Sequence, residues 1–302
     1  MAYQPFIFTN NLEVGEGYNF INGRDFLGNI YWPDNPSPEI YDLLVQDLAS
    51  FREHNQHLRT IYEYFLDTFV ESLGGNIQSL DFAEIGCNTG YFLHGLALRG
   101  AKRCIGYDFT ENTEVFNWFN QVLGIHNEFY FAEWDSRTHT LNYADMPEVD
   151  VAISINVTCH LADPVYHIAF LCDHAKKAVF LCCPVNFEDE TGLSISYGYP
   201  SRYPNSLDFP LCFDNTIKMS KPLIRLAFEK AGFEEIYEIE PPSNIPSEWK
   251  SWYNAGKLFL AFRTKQTKTA LNETNRNRNR QVPADAAAIL NAKPKWNWKG
   301  FK

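Results

Sequence analysis

No stretch of this chain approaches the roughly 20 consecutive apolar residues a membrane-spanning helix needs, so such a helix is excluded. Charged residues are scarce, at 21%, against 45% hydrophobic residues, which excludes wholesale disorder. The seven cysteines include no Cys-x-x-Cys pair and lie in apolar contexts. A disulfide framework or a zinc ribbon is not expected, and a reducing, cytoplasmic compartment fits. Met1–Phe6 show no basic start followed by an apolar stretch, so no secretory leader is expected. His139, His167 and His174 are not paired at metal-ligand spacing, so no metal is expected. There is no internal repeat.

What is present is unevenly charged. The net charge is −11. Residues 265–302 hold nine basic and two acidic residues, while residues 1–264 hold 17 basic and 35 acidic. A body that acidic repels a polyphosphate backbone, so nucleic acid is disfavoured and a small-molecule or glycan partner is favoured. The basic tail reads as a short solvated segment.

Three parts follow from the pattern. Residues 1–75 form an aromatic, turn-rich layer followed by helices, on the lid and substrate side. Ser37-Pro38 reads as a helix cap with proline at the first helical position. Leu58, Ile61, Phe65, Phe69, Val70 and Leu73 recur at helical spacing, and Gly74-Gly75 stops the helix. Residues 76–265 alternate short apolar strands with periodic helical segments. The strands are predicted at 81–85, 104–107, 129–131, 151–155 and 179–182, and the helices at 91–99, 111–123 and 164–174. A further helix (220–231) precedes strands near 236–239 and 258–262, with an antiparallel pairing at one edge. This order predicts an α/β fold whose mostly parallel sheet is covered on both faces. Residues 184–219 are an irregular insert, read as a functional cover. Residues 266–302 are a low-complexity basic tail with a short Ala-rich helix.

The chemistry concentrates in Asp81-Phe82-Ala83-Glu84-Ile85-Gly86-Cys87-Asn88-Thr89-Gly90-Tyr91-Phe92. An apolar strand ends in a small-residue turn that opens a helix. The helix N-terminus is expected to offer unpaired N–H groups to a ligand. Gly86 is expected to let the backbone approach that ligand, and Gly90 to let helix and strand pack closely. Asn88 tolerates the left-handed conformation a third glycine would supply. A dinucleotide fingerprint wants G-x-G-x-x-G, and the second and third glycines are missing at that spacing. Asp108 ends the second strand, 22 residues after Gly86, where an acid can accept both hydroxyls of a ribose. Asp135 follows the third strand, where an acid can face an exocyclic amine; Glu133 is the alternative.

In order and spacing these residues resemble the class I S-adenosylmethionine-dependent methyltransferases over roughly residues 80–265. The resemblance rests on E-x-G-x-N-x-G, Asp108, Asp135 and the fourth-strand segment Ile153–Pro164. It implies a Rossmann-like three-layer sandwich, with seven strands and an antiparallel last strand. It implies S-adenosylmethionine as cofactor, with S-adenosylhomocysteine as product. Carried over, Glu84 and Gly86 lie near its amino-acid end, and Cys87 (through its backbone), Asn88 and Gly90 belong to the cofactor-binding turn. Asp108 holds the ribose and Phe109 lies beside the adenine. Asp135 bonds the adenine amine, with the Ser136 backbone near it, and Asn156 and Val157 line the methionine end.

Ser154–Pro164 also resembles the tRNA wobble-uridine carboxymethyltransferases, but Cys159 stands where those enzymes carry a tyrosine. An RNA-modifying enzyme and a non-catalytic scaffold on the same fold stay open beside methyl transfer to an O or N nucleophile. His160 follows the fourth strand, where an acceptor would sit. Imidazole titrates near neutrality, so His160 is the catalytic candidate, with loop positioning as the other reading. Tyr197, Arg202 and Tyr203 are candidate substrate contacts. Arg202 is the one basic residue between Lys177 and Lys218.

Overall fold

A computed structural model describes residues 59–108, 113–135, 140–141, 146–186, 191–197, 215–239 and 256–264. Helix α1 is described over residues 59–72. It ends where expected: Gly74 and Gly75 take φ of 88° and 77°, and Gly75 N–H bonds Val70 O at 2.9 Å. Left-handed glycine closes a helix because it has no Cβ to clash.

The remaining elements run β1 (Asp81–Ile85), α2 (Tyr91–Leu98), β2 (Arg103–Asp108), α3 (Thr113–Leu123), β3 (Glu128–Phe131), β4 (Trp134–Asp135) and β5 (Thr140–Leu141). They continue with β6 (Val149–Ile155), a 3-10 turn (Thr158–His160), α4 (Pro164–His174), β7 (Ala175–Pro184), β8 (Leu193–Tyr197) and β9 (Asn215–Met219). The last three are α5 (Lys221–Lys230), β10 (Glu235–Ile239) and β11 (Gly256–Phe262). No described helix is long and apolar enough to cross a membrane.

The main sheet has seven strands in the order β10-β11-β7-β6-β1-β2-β3. Strands β7, β6, β1, β2 and β3 pair in parallel. The last strand, β11, is inserted antiparallel between β7 and β10. This is the Rossmann-like sheet that the resemblance implied. Period-2 alternation sends successive side chains to opposite faces. Phe82, Val151, Phe180 and Leu260 join the apolar layer under α1, α2 and α3. Ala83, Ile85, Ala152 and Leu181 join the layer under α4 and α5. The first layer is an aromatic stack, with Phe180 rings 4.9 Å from Phe69 and 5.1 Å from Phe92.

Two arginines tie helices to this frame. Arg263 leaves β11 and donates to Ala175 O at 3.1 Å, Ala231 O at 3.2 Å and Cys172 O. It thereby collects carbonyls at the ends of α4 and α5, where a cation is favoured by the helix dipole. Arg99, at the end of α2, reaches across to α1. It donates to Glu63 Oε2 and Asp67 Oδ1, both at 2.8 Å, and to Gly95 O at 3.0 Å. Its side chain is only 4% exposed, so its loss strands two carboxylates at a buried helix contact.

The insert departs from the irregular reading. β8 and β9 pair antiparallel from Leu193↔Met219 to Tyr197↔Asn215, and Val185 bridges Met219. The two strands are far apart in sequence, which hides their partnership from local pattern. The expected aromatic layer (1–58), the central insert (198–214) and the tail (266–302) lie outside the described residues.

Arg99→Ala should lower stability by about 3 kcal/mol in urea unfolding, the scale for removing one partner of a buried ion network. A loss under about 1 kcal/mol would mark it as an ordinary surface pair.

Candidate functional site

The strand order reverses between β6 and β1, because β1 connects onward to β2 and β6 onward to β7 on the other side. In open α/β sheets the crevice beyond the carboxyl ends at this switch point receives the ligand. The glycine turn after β1, Asp108 at the end of β2, and Asn156 after β6 all converge there.

The turn is strongly left-handed. Gly86, Asn88 and Gly90 take φ of 74°, 50° and 84°. The amides of Gly86 to Gly90 are all bonded within the protein. Gly86 N–H and Cys87 N–H donate to Tyr107 O at 2.7 and 3.1 Å. Asn88 N–H donates to Asp108 Oδ2 at 2.6 Å, Thr89 N–H to Asn88 Oδ1 at 2.7 Å, and Gly90 N–H to Cys87 O at 2.8 Å. The turn is thus fastened to the end of β2 rather than poised for an anion. A Cβ at Gly86 would stand 2.2 Å from Val157 Cγ2, so glycine is needed to admit the β6 loop. Gly90 makes room for a helix rather than a strand: a Cβ there would stand 2.3 Å from the Phe116 ring on α3. Cys87 is buried, its sulfur packed beneath Gly106.

A relay missed by sequence reasoning supports the turn from below. Asn127 Nδ2 lies 2.9 Å from His94 Nδ1, and His94 Nε2 lies 3.1 Å from Thr89 O. The amide donates to Nδ1, so Nε2 carries the proton and donates to the turn carbonyl. Asn120 in turn bonds Asn127 at both its O and its N–H. Burial pushes His94 down to about 3, which keeps the ring neutral and the tautomer fixed.

Glu84 is the other unforeseen feature, not for its presence but for its isolation. It is fully buried, and neither carboxyl oxygen has a hydrogen-bond partner among the described residues. By strand alternation it shares the face of Phe82, toward α1. Burial, and then the charge of Asp108, hold its carboxyl well above the usual range. Asp108 is itself buried at 4% exposure. A buried carboxyl without a partner is costly unless it holds its proton or a cation arrives.

On the β6 side, Asn156 takes a left-handed φ of 58°, and its N–H bonds Cys182 O at 2.8 Å. Val157 then leans over Gly86. His160 closes the 3-10 turn and is exposed, as a group meeting an outside molecule must be. The Asp163-Pro164 pair is a helix start: Asp163 Oδ1 accepts Tyr166 N–H at 2.8 Å, with proline in the first turn. β9 packs on the 3-10 turn, so the insert borders His160. Ser220 anchors that insert, accepting Gly192 N–H at 3.0 Å and Leu223 N–H at 3.2 Å.

The other candidates are only partly placed. Asp135 lies in the small β4–β5 ladder, paired with Thr140, and not on the main sheet. Tyr197 ends β8 opposite Asn215. Phe109, Ser136, Arg202 and Tyr203 lie outside the described residues. His167 is buried and bonded to Ser154 Oγ at 2.9 Å, a structural role. No group of three metal-ligating side chains occurs among the described residues.

The isolation of Glu84 has a measurable consequence. Its folded state favours the protonated form, so its stabilising contribution is complete below the ordinary value of 4.5 and is lost as pH rises. Glu84→Gln removes that loss. The stability difference between variant and parent, flat in acid, should grow above pH 4.5 by about 1.4 kcal/mol per pH unit until the folded value is reached. His94 and His167 run the opposite way: both are held at about 3, so their contribution is lost as pH falls from 6.5 toward 3. They are common to both proteins and cancel in the difference. A pH-independent difference would show that Glu84 is ionised in the fold.

No family model matches the sequence, and no curated protein matches it. Among solved structures, the chain is similar to the N-terminal domain of EvdMO1 in the presence of SAH and D-fucose. The match has 15% identity over 67% of this chain and 81% of that one, with a TM-score of 0.47. It is similar to magnesium protoporphyrin IX methyltransferase (ChlM) from Synechocystis PCC 6803 with bound SAH. That match has 17% identity over 82% and 97%, with a TM-score of 0.47. It is also similar to an S-adenosylmethionine-dependent methyltransferase from Clostridium acetobutylicum ATCC 824, at 12% identity over 67% and 91%, with a TM-score of 0.45.

Proposed function

We propose that this chain transfers a methyl group from S-adenosylmethionine to an O or N nucleophile of a small-molecule or sugar acceptor. One observation carries the reading. Two buried acids, Glu84 and Asp108, flank a left-handed turn at the switch point, and Glu84 has no partner among the described residues. Such a site asks for a ligand with positive charge and hydroxyl donors. S-adenosylmethionine carries a sulfonium, an ammonium and a ribose diol. A dinucleotide fits poorly, because its pyrophosphate would meet carboxylates and a turn whose amides are already bonded.

The cofactor supplies an electrophilic methyl group on its sulfonium. The chain supplies position. Asp108 accepts the ribose hydroxyls while retaining the Asn88 amide. Glu84, behind Gly86, lowers the potential at the amino-acid end without contributing a donor of its own. Asn156 and Val157 bound the methionine end, and Phe109, Asp135 and Ser136 the adenine end. His160 takes the acceptor's proton or orients its nucleophilic atom, and Tyr197, Arg202 and Tyr203 receive the rest of the acceptor. Alignment and exclusion of water supply much of the acceleration in such a displacement.

Calorimetric titration should give micromolar binding of S-adenosylmethionine and S-adenosylhomocysteine and none of NAD. Asp108→Asn keeps an acceptor for Asn88 N–H but loses the charge, and should weaken both by about tenfold or more. Unchanged affinity would remove Asp108 from the ribose role, and binding of NAD alone would overturn the reading. His160→Ala should lower turnover about a hundredfold if it is the base, with cofactor affinity unchanged. Full turnover would place the base elsewhere or make it unnecessary.

A further inference from the structure

Asn156 is held at three atoms by two cysteines. Its N–H donates to Cys182 O at 2.8 Å. Its backbone carbonyl accepts the Cys159 thiol at 3.4 Å, and its side-chain Oδ1 accepts the Cys182 thiol at 3.7 Å. The arrangement holds a non-glycine residue at a φ of 58°, at the carboxyl end of β6 beside the switch point. Asparagine tolerates that conformation, but only a surrounding that over-determines it keeps it there. Both cysteines are buried, at 5% and 7% exposure. Burial raises both to about 12, so at neutral pH they keep their protons and remain donors.

The consequence concerns the side-chain amide. With Oδ1 turned to the Cys182 sulfur, Nδ2 points the other way. It makes no hydrogen bond among the described residues and is not among the buried, unpartnered atoms, so this half-buried residue leaves it accessible at the carboxyl end of β6. An asparagine there could offer either end to a ligand; the thiol selects the donor end.

We propose that Cys159 and Cys182 are positioning residues that hold Asn156 so that its amide nitrogen donates to an oxygen of the bound cofactor. The proposal rests on the methyltransferase reading above and assigns a donor to a crevice otherwise lined by acids. In that setting a fixed donor has a distinct task. It receives the one anionic group of the cofactor, its carboxylate, which Glu84 and Asp108 repel. The thiol clamp is what makes the donor fixed, since a freely rotating amide would present oxygen as readily as nitrogen.

The test uses the full chain and S-adenosylhomocysteine as probe. Asn156→Gly keeps the left-handed turn at no steric cost and removes only the amide. It should weaken binding about tenfold, the scale of one hydrogen bond to a charged group, with the melting temperature held. Cys182→Ala and Cys159→Ala should each weaken binding several-fold, and Cys182→Ser and Cys159→Ser, which still donate, should restore it to within about twofold. A readout without ligand separates positioning from packing. The side-chain amide resonances of Asn156 should be sharp in the parent and in Cys182→Ser, and broadened by exchange in Cys182→Ala. Parental binding by Asn156→Gly, or sharp amide signals in Cys182→Ala, would overturn the proposal while leaving the cofactor reading intact. Failure of the parent itself to bind the probe would overturn both.

Discussion

The bond from Asn88 N–H to the Asp108 carboxylate is the fastening on which the rest of the site depends. At 2.6 Å it joins the turn after β1 to the end of β2. The Tyr107 carbonyl adds two further bonds from Gly86 and Cys87. Parallel pairing of β1 with β2 brings these ends side by side, and the left-handed turn aims the amides sideways rather than outward. Every later placement follows. Val157 settles over Gly86 because glycine has no Cβ there, and α2 starts where Gly90 passes under Phe116. The His94 relay then holds the same turn from the opposite side through Thr89 O. A charge-assisted bond of this kind is about twice as strong as a neutral one. It spends the amides of Gly86 to Gly90 on the protein.

That exchange fixes the electrostatic character of the crevice. Glu84 at its floor has no hydrogen-bond partner among the described residues, and the buried histidines nearby are neutral because burial disfavours their charge. The fold carries an uncompensated carboxyl at Glu84 as a standing cost, retained in the ligand-free state by holding its proton. A cationic ligand reverses the balance, because the ionised carboxyl then has a partner in a medium of low dielectric. Affinity and stability therefore pull against each other at one residue. This is the pattern expected where a buried polar group serves binding rather than folding.

Much of this architecture was legible in the sequence. β1 and α4 fall on the residues expected, because glycine, proline and capping Asp163 punctuate them sharply. β7 starts earlier than its apolar run, since Lys176 and Lys177 lie on an exposed stretch where hydrophobicity carries no signal. The β8–β9 pair was missed although both strands alternate, as in Leu193-Ser194-Ile195 and Ile217-Lys218-Met219. A short alternating run says little without a turn joining it to its partner. The site divides the same way. Glycines and acids at fixed spacing could be read directly, whereas the bond pattern around them could not. Asn127 meets His94 from 33 residues away, and Cys182 meets Asn156 from 26. Such contacts are made by the sheet, not by the local chain.

The two halves of the crevice differ in how they are made rigid, and this bears on specificity. The β1–β2 side is held by main-chain bonds and by a carboxylate, which do not depend on the side chains of Cys87 or Thr89. The β6 side is held by side chains of Cys159 and Cys182 and by the packing of β9 on the 3-10 turn. Main-chain fastening suits the part of a site that meets an invariant cofactor, since it survives substitution. On the proposed reading the Cys159 and Cys182 side chains hold Asn156 for the cofactor, while the packing of β9 on the 3-10 turn shapes the surface beside His160, where the acceptor enters. On this argument the acceptor is selected by residues after β6 and in the β8–β9 insert. The glycine turn, however diagnostic it is of the fold, has no part in that choice.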